Sequence, residues 1–200
     1  MAESRFRERL AKPRPVLLDG AVGTELARRG IPTVLPLWSA HALWDDAGLQ
    51  LLSGIHEEYA RAGAEILVTN TFRTTQRTLA KAGRTSDWAL VNQLAVQCAR
   101  SAVNSAVQPC WVAGGIATLE DCYRSDLVPA QGDCLREHGR QVELLAKLGV
   151  DLMFIETMNC LREALAALTA ARDTGLDVLL SFCPLAPDHL LSREPLEKVL

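Results

Sequence analysis

Two carboxylates close two apolar runs of this 200-residue chain: Val16-Leu17-Leu18 runs into Asp19-Gly20, and Met153-Phe154-Ile155 runs into Glu156-Thr157. A short apolar run that stops at a carboxylate reads as a buried strand whose carboxyl end opens into a polar turn, which is where α/β folds keep their ligands. Asp19 also suits the N-terminal cap of a following helix, where its oxygens would take backbone N–H groups. The choice between the two readings depends on what the rest of the chain places beside these tips.

Other candidate strands end in the same way. Glu65 to Phe72 finishes in Asn70-Thr71, Cys110-Trp111-Val112-Ala113 in Gly114-Gly115, and Asp177 to Phe182 carries Ser181. Between them lie helical patterns. Leu49, Leu52, Ile55, His56 and Tyr59 recur at helical spacing behind a cap at Asp45 or Asp46 and run to Ala62, where Gly63 stops them. Ser86 is expected to cap a helix from Asp87 to about Val107. Further helices are expected from about Cys134 to Leu148, from an Asn159 cap to about Thr174, and from Glu194 to Leu200. The Thr-rich stretch after Phe72 reads as a turn, and Ile116 to Gln131, with Asp121, Tyr123, Arg124 and Asp126, as a long binding loop.

Strands alternating with helices predict a parallel sheet covered by helices. A doubly wound sheet would show a glycine-rich phosphate loop after its first strand, but Gly20-x-x-Gly23 has the wrong spacing and Glu25 would repel an anion. Strand tips rich in polar residues fit a (β/α)8 barrel instead, of which about five βα units are present. The expected division is an arm over residues 1–15 and a barrel domain over residues 16–200, with the first and last strands left as unpaired edges prone to self-association.

Composition narrows the function. With 48% hydrophobic and 22% charged residues the chain can bury a substantial core. Its net charge of −3, and a basic N-terminal stretch interleaved with Glu3 and Glu8, argue for a solvated arm and against nucleic acid or an anionic membrane as partner. No run is long enough to span a bilayer and no signal peptide is visible, so the cytoplasm is the expected location. The six cysteines are scattered without metal-ligand spacing. His56 and His138 fall inside helices and are expected to be structural.

The motifs Leu18-Asp19-Gly20-Ala21-Val22-Gly23-Thr24-Glu25-Leu26, Val68-Thr69-Asn70-Thr71-Phe72, Ala113-Gly114-Gly115-Ile116 and Phe154-Ile155-Glu156-Thr157, in this order, resemble the homocysteine S-methyltransferases. The resemblance covers nearly all of the chain after Val16. It implies a (β/α)8 barrel that moves a methyl group from S-methylmethionine, betaine or a methylfolate to the sulfur of homocysteine, giving methionine. It also implies site roles. Asp19 and Glu156 would hold the amino acid's ammonium, Gly20, Thr71 and the backbone from Gly114 and Gly115 to Ile116 would surround its carboxylate, and Trp38 would lie against the methyl donor's cation.

Such enzymes hold one zinc through three cysteines, one in an Asn-Cys context after the sixth strand and a Cys-Cys pair near the eighth. Those motifs do not occur among these residues, so the zinc ligands are expected beyond residue 200, with no ligand assigned here and Cys183 a poor candidate. A free thiol with a pKa near 8.5 is only about 3% thiolate at pH 7. A protein ending at Leu200 is therefore expected to transfer no methyl groups, and a catalytically silent barrel fragment serving as a binding or assembly module is the alternative reading.

Overall fold

The computed structural model describes residues 5–198, so the first four residues of the arm and residues 199–200 of the expected last helix lie outside the described residues. Four of the apolar runs form one parallel sheet in sequence order: β1 (Ile66–Val68), β2 (Trp111–Ile116), β3 (Leu152–Met158) and β4 (Asp177–Phe182). The register sets Val68 beside Ala113, Ala113 beside Leu152 and Phe154 beside Leu179. The first expected strand joins by a single parallel bridge, Leu18 to Ile66, with the Asp19 N–H donating to the Ile66 carbonyl at 3.0 Å. Leu17 and Leu18 stay 49% and 43% exposed, so this edge of the sheet is open.

Among the described residues seven helices accompany the sheet: α1 (Arg5–Leu10), α2 (Val22–Arg28), α3 (Asp46–Arg61), α4 (Gln76–Lys81), α5 (Trp88–Ala102), α6 (Gln131–Lys147) and α7 (Leu161–Arg172). Alternate strand residues face opposite sides. Leu67, Val112, Ile116, Met153 and Ile155 pack with Ala60, Val96, Ala99, Val142, Leu145, Ala164 and Ala167 of α3, α5, α6 and α7. Burying each Leu, Ile or Val there stabilises the fold by about 1.5–3 kcal/mol. Ile66, Ala113 and Leu152 turn the other way and pack with Phe6 of α1. The four long helices thus cover one face, whereas a doubly wound sheet carries helices on both.

Local signals account for the helix ends. Asp45 Oδ1 accepts the Gly48 N–H at 2.7 Å, capping α3. Gly63 and Gly149 follow α3 and α6 at φ 102° and 81°, a left-handed turn that glycine adopts without a Cβ penalty.

Several boundaries differ from the sequence reading. The Thr-rich turn holds the short helix α4, because Thr75 Oγ1 accepts the Thr78 N–H at 3.2 Å as a cap. Ser86 does not cap α5; it sits in a 3-10 turn, Thr85–Asp87, and bonds to Asp87. Asn159 does not cap α7 either. Its Nδ2 donates to the Cys122 carbonyl at 3.2 Å, and the Leu161 N–H is taken by Glu194 Oε2 at 2.9 Å. The segment after β4 forms a small hairpin, β5 (Pro184–Ala186) and β6 (His189–Leu190), ahead of a 3-10 turn at Leu196–Lys198 where a helix was expected.

The basic arm is exposed at Arg5, Arg7, Lys12 and Arg14 but anchored at Arg9. Arg9 is 6% exposed and meets both oxygens of fully buried Glu65, at 2.5 and 2.8 Å. This two-pronged contact holds the Glu65 carboxyl below the usual carboxylate range. Phe6, one turn earlier, packs edge-on to Trp111 at 5.4 Å.

Candidate active site

The carboxyl ends of β1, β2 and β3 open into a cavity of about 540 Å³. Asp19, Gly20 and Gly23 form one wall, and Trp38 with Ser39 forms the next. Phe72 and Arg73 follow β1, Asp121, Cys122 and Tyr123 follow β2, and Phe154, Glu156 and Thr157 complete the lining from β3.

Asp19 is fixed by the sheet and caps no helix. Its Oδ2 accepts the Val68 N–H at 2.8 Å, so the carboxylate completes the ladder where the strand stops. Its side chain is only 3% exposed. Burial pushes its pKa up to about 7, the Val68 N–H opposes that, and the charge of Glu156 adds to it. Burial likewise raises Glu156 to about 7. Two desolvated carboxylates therefore share one cavity, each ionising reluctantly until a cation enters.

The next residue, Thr157, has φ 56°, which a β-branched side chain rarely adopts. Its N–H is held by Ser181 Oγ at 3.2 Å. This turn ends the regular register of β3 against β4, which shifts between Ile155 and Met158.

Trp38 opens a 3-10 turn, Trp38–Leu43, tied to the tip of β1 by Asn70 Nδ2 donating to the Ser39 carbonyl at 2.9 Å. Its indole packs edge-on to Phe72 at 5.6 Å. A Cβ at Gly23 would overlap that indole, and one at Gly20 would lie 2.7 Å from the Tyr59 hydroxyl oxygen. Both glycines of the opening motif thus allow close approach of a ring.

Of the residues named from sequence, Asp19, Gly20, Trp38 and Glu156 line the cavity and Thr71, Gly114 and Gly115 do not. Thr71 is 1% exposed; its hydroxyl donates to the Gly115 carbonyl at 2.7 Å and its N–H to the Thr69 carbonyl at 2.7 Å, leaving neither for a ligand. A Cβ at Gly114 would point at Met153, Val150 and Leu145 in the helix layer, because strand alternation turns it away from the cavity. Gly115 faces inward behind the lining, where a Cβ would come within 3.2 Å of Glu156 Oε1 and 3.1 Å of Thr71 Oγ1.

Sequence reasoning missed Arg73, and it named His56 only as a structural residue. His56 is fully buried with Nδ1 4.0 Å from Asp19 Oδ2. Its helical spacing marked it as inward-facing, but not what it would face. A charged residue directly after Val68-Thr69-Asn70-Thr71-Phe72 was the available signal for Arg73.

Residues 16–200 match the homocysteine S-methyltransferase family. The chain belongs to that family. As a homocysteine S-methyltransferase family member it is 31% identical to Homocysteine S-methyltransferase of Escherichia coli (strain K12), over 98% of this chain and 67% of the relative. It is 27% identical to Homocysteine S-methyltransferase YbgG of Bacillus subtilis (strain 168), over 76% of this chain and 52% of the relative. The chain thus spans about two thirds of the first relative's length and about half of the second's. Its fold matches the crystal structure of the homocysteine methyltransferase MmuM from Escherichia coli in its metallated form, with a TM-score of 0.86 at 29% identity, covering 97% of this chain and 72% of that one.

That crystal structure is of a metallated form. Among the described residues no group of three His, Cys, Asp or Glu side chains is placed to hold a metal ion. Cys183 is half-buried and burial pushes its thiol up, the opposite of the thiolate that a metal requires. The described residues do not fit a metal centre. No described helix is long and apolar enough to cross a membrane.

Proposed function

We propose that this chain binds homocysteine in the mouth of a (β/α)8 barrel and serves methyl transfer to its sulfur, giving methionine from a donor such as S-methylmethionine, betaine or methylfolate. The observation that carries the reading is the pair Asp19 and Glu156, two desolvated carboxylates lining one cavity and both raised to about 7. Structural ion pairs do not look like this, because a carboxylate with a fixed cationic partner is lowered. A pair raised by burial is an acceptor waiting for a cation, and the ammonium of an α-amino acid supplies one.

The chain's own residues then act by binding and orientation. Asp19, held by the Val68 N–H, keeps one oxygen directed by the sheet, and Glu156 closes on the same ammonium from β3. The aromatic pair Trp38 and Phe72 excludes water from the adjoining space, where a methyl-bearing cation is stabilised by an indole face. Zinc, which the resemblance implies, belongs to residues outside the described ones. Self-association through the open edge at Leu17 and Leu18, and a cytoplasmic setting, belong to the same proposal.

Calorimetric titration of the chain with homocysteine, beside an assay for methionine formation with each donor, tests the reading. Homocysteine binding that Asp19→Asn and Glu156→Gln each weaken tenfold or more supports it. Unchanged binding in both variants overturns it, and binding without turnover by the chain favours the binding-module alternative.

A further inference from the structure

Arg73 is 9% exposed, lines the cavity, and has no carboxylate partner within 4.0 Å among the described residues, although the ion pairs of most other arginines are plain in the structure. Its guanidinium makes one hydrogen bond, from Nη1 to the Glu120 carbonyl at 3.0 Å, and its Nε is buried without an acceptor. A guanidinium taken out of water with neither counter-ion nor full hydrogen bonding is costly, unless an anion arrives to complete it. From the row of groups around it, we infer that Arg73 takes the carboxylate of the methyl donor, and so selects a small onium carboxylate such as S-methylmethionine or betaine. This rests on the methyltransferase reading above.

The placement decides which substrate's carboxylate is meant. Arg73 Cζ lies 5.1 Å from the Phe72 ring centre, and the Trp38 indole lies 5.6 Å from the same ring, so guanidinium and indole flank one phenyl group. A ligand whose methyl-bearing cation rests against the indole brings a carboxylate a few bonds away to the guanidinium, which meets both oxygens once its Nε–Nη2 edge turns to the cavity. In an α-amino acid, ammonium and carboxylate stand on one carbon. A residue reading the acceptor's carboxylate would therefore stand close beside Asp19 and Glu156. Arg73 stands instead against the Glu120 carbonyl and the Phe72 ring, and among the described residues neither Asp19 nor Glu156 comes within 4.0 Å of its guanidinium. A methylfolate, with its carboxylates at the far end of a long tail, has no such match.

Calorimetric titration of the chain with S-methylmethionine, with its carboxamide and with homocysteine tests the inference, in the wild type, Arg73→Gln and Arg73→Lys. The expected result is that the wild type binds S-methylmethionine at least tenfold tighter than the carboxamide. Arg73→Gln should abolish that preference and Arg73→Lys keep part of it, with homocysteine affinity within twofold of wild type in both. Equal affinity of the wild type for acid and carboxamide overturns the inference even if both variants fail to fold. So does an unchanged preference in Arg73→Gln, or a loss confined to homocysteine, which would move Arg73 to the acceptor's carboxylate. A wild type that prefers the acid but ignores homocysteine would sink the acceptor reading and leave this one standing.

Discussion

His56 Nδ1 lies 4.0 Å from Asp19 Oδ2, yet the two do not form an ion pair. Neither ring nitrogen of His56 has a hydrogen-bond partner, and burial lowers its pKa to about 4, while Asp19 is raised to about 7. An ion pair would move both values the other way. At neutral pH the imidazole is therefore uncharged, and it offers Asp19 no counter-charge in place of a cation in the cavity.

This arrangement predicts acid sensitivity at His56. Its folded pKa is below the unfolded 6.5, so its contribution is present above about pH 6.5 and is lost as pH falls through about 4. His56→Leu, of similar volume and with no buried polar atoms to satisfy, should be as stable as the wild type at pH 7.5 and more stable by about 2–3 kcal/mol near pH 4. Urea unfolding at the two pH values measures this, and equal acid loss in both proteins would refute it.

The carboxylates have the opposite sign. Asp19 and Glu156 have folded pKa values above their unfolded ones, so the stability tied to their protonated forms is present below about pH 4 and is lost as pH rises through about 7. Asp19→Asn, which keeps an oxygen for the Val68 N–H, and Glu156→Gln should each match the wild type near pH 4 and exceed it by about 2–4 kcal/mol at pH 8. Homocysteine binding at pH 7 should release protons, and affinity should rise between pH 6 and pH 8; calorimetry in buffers of different ionisation enthalpy reads both.

Gly23 supplies a sign reversal. Alanine in place of glycine inside a helix ordinarily stabilises by about 1 kcal/mol. Here the added methyl overlaps the Trp38 indole, so Gly23→Ala should lower the melting temperature and shift tryptophan emission as the ring is displaced. A raised melting temperature would show that the ring is not held against Gly23.

Glu163 ties the loop after β2 to the helix layer. Its Oε1 accepts the Leu119 N–H at 2.8 Å and lies 3.1 Å from His138 Nε2, all buried. Glu163→Ala leaves the Leu119 N–H unpaired and should cost about 2–4 kcal/mol. Hydrogen exchange at the Leu119 amide should accelerate in the variant, and unchanged protection would count against the tie.

Short-range chemistry made much of this protein legible in sequence. Apolar runs became β1 to β4, Asp45 and the glycines bounded the helices as local hydrogen bonding requires, and carboxylates at strand tips reached the cavity because a parallel sheet puts all its carboxyl ends on one side. Gly114 and Gly115 could have been told apart by strand alternation alone. What tertiary structure decided is carried by partners far apart in the chain. Arg9 meets Glu65 across 56 positions, and Glu194 caps α7 from 33 positions away. His56 and Arg73 owe their character to what surrounds them: burial beside Asp19 keeps one neutral, and the want of a carboxylate neighbour leaves the other without a counter-ion. No residue type or spacing encodes desolvation, since it depends on every element packed around the group.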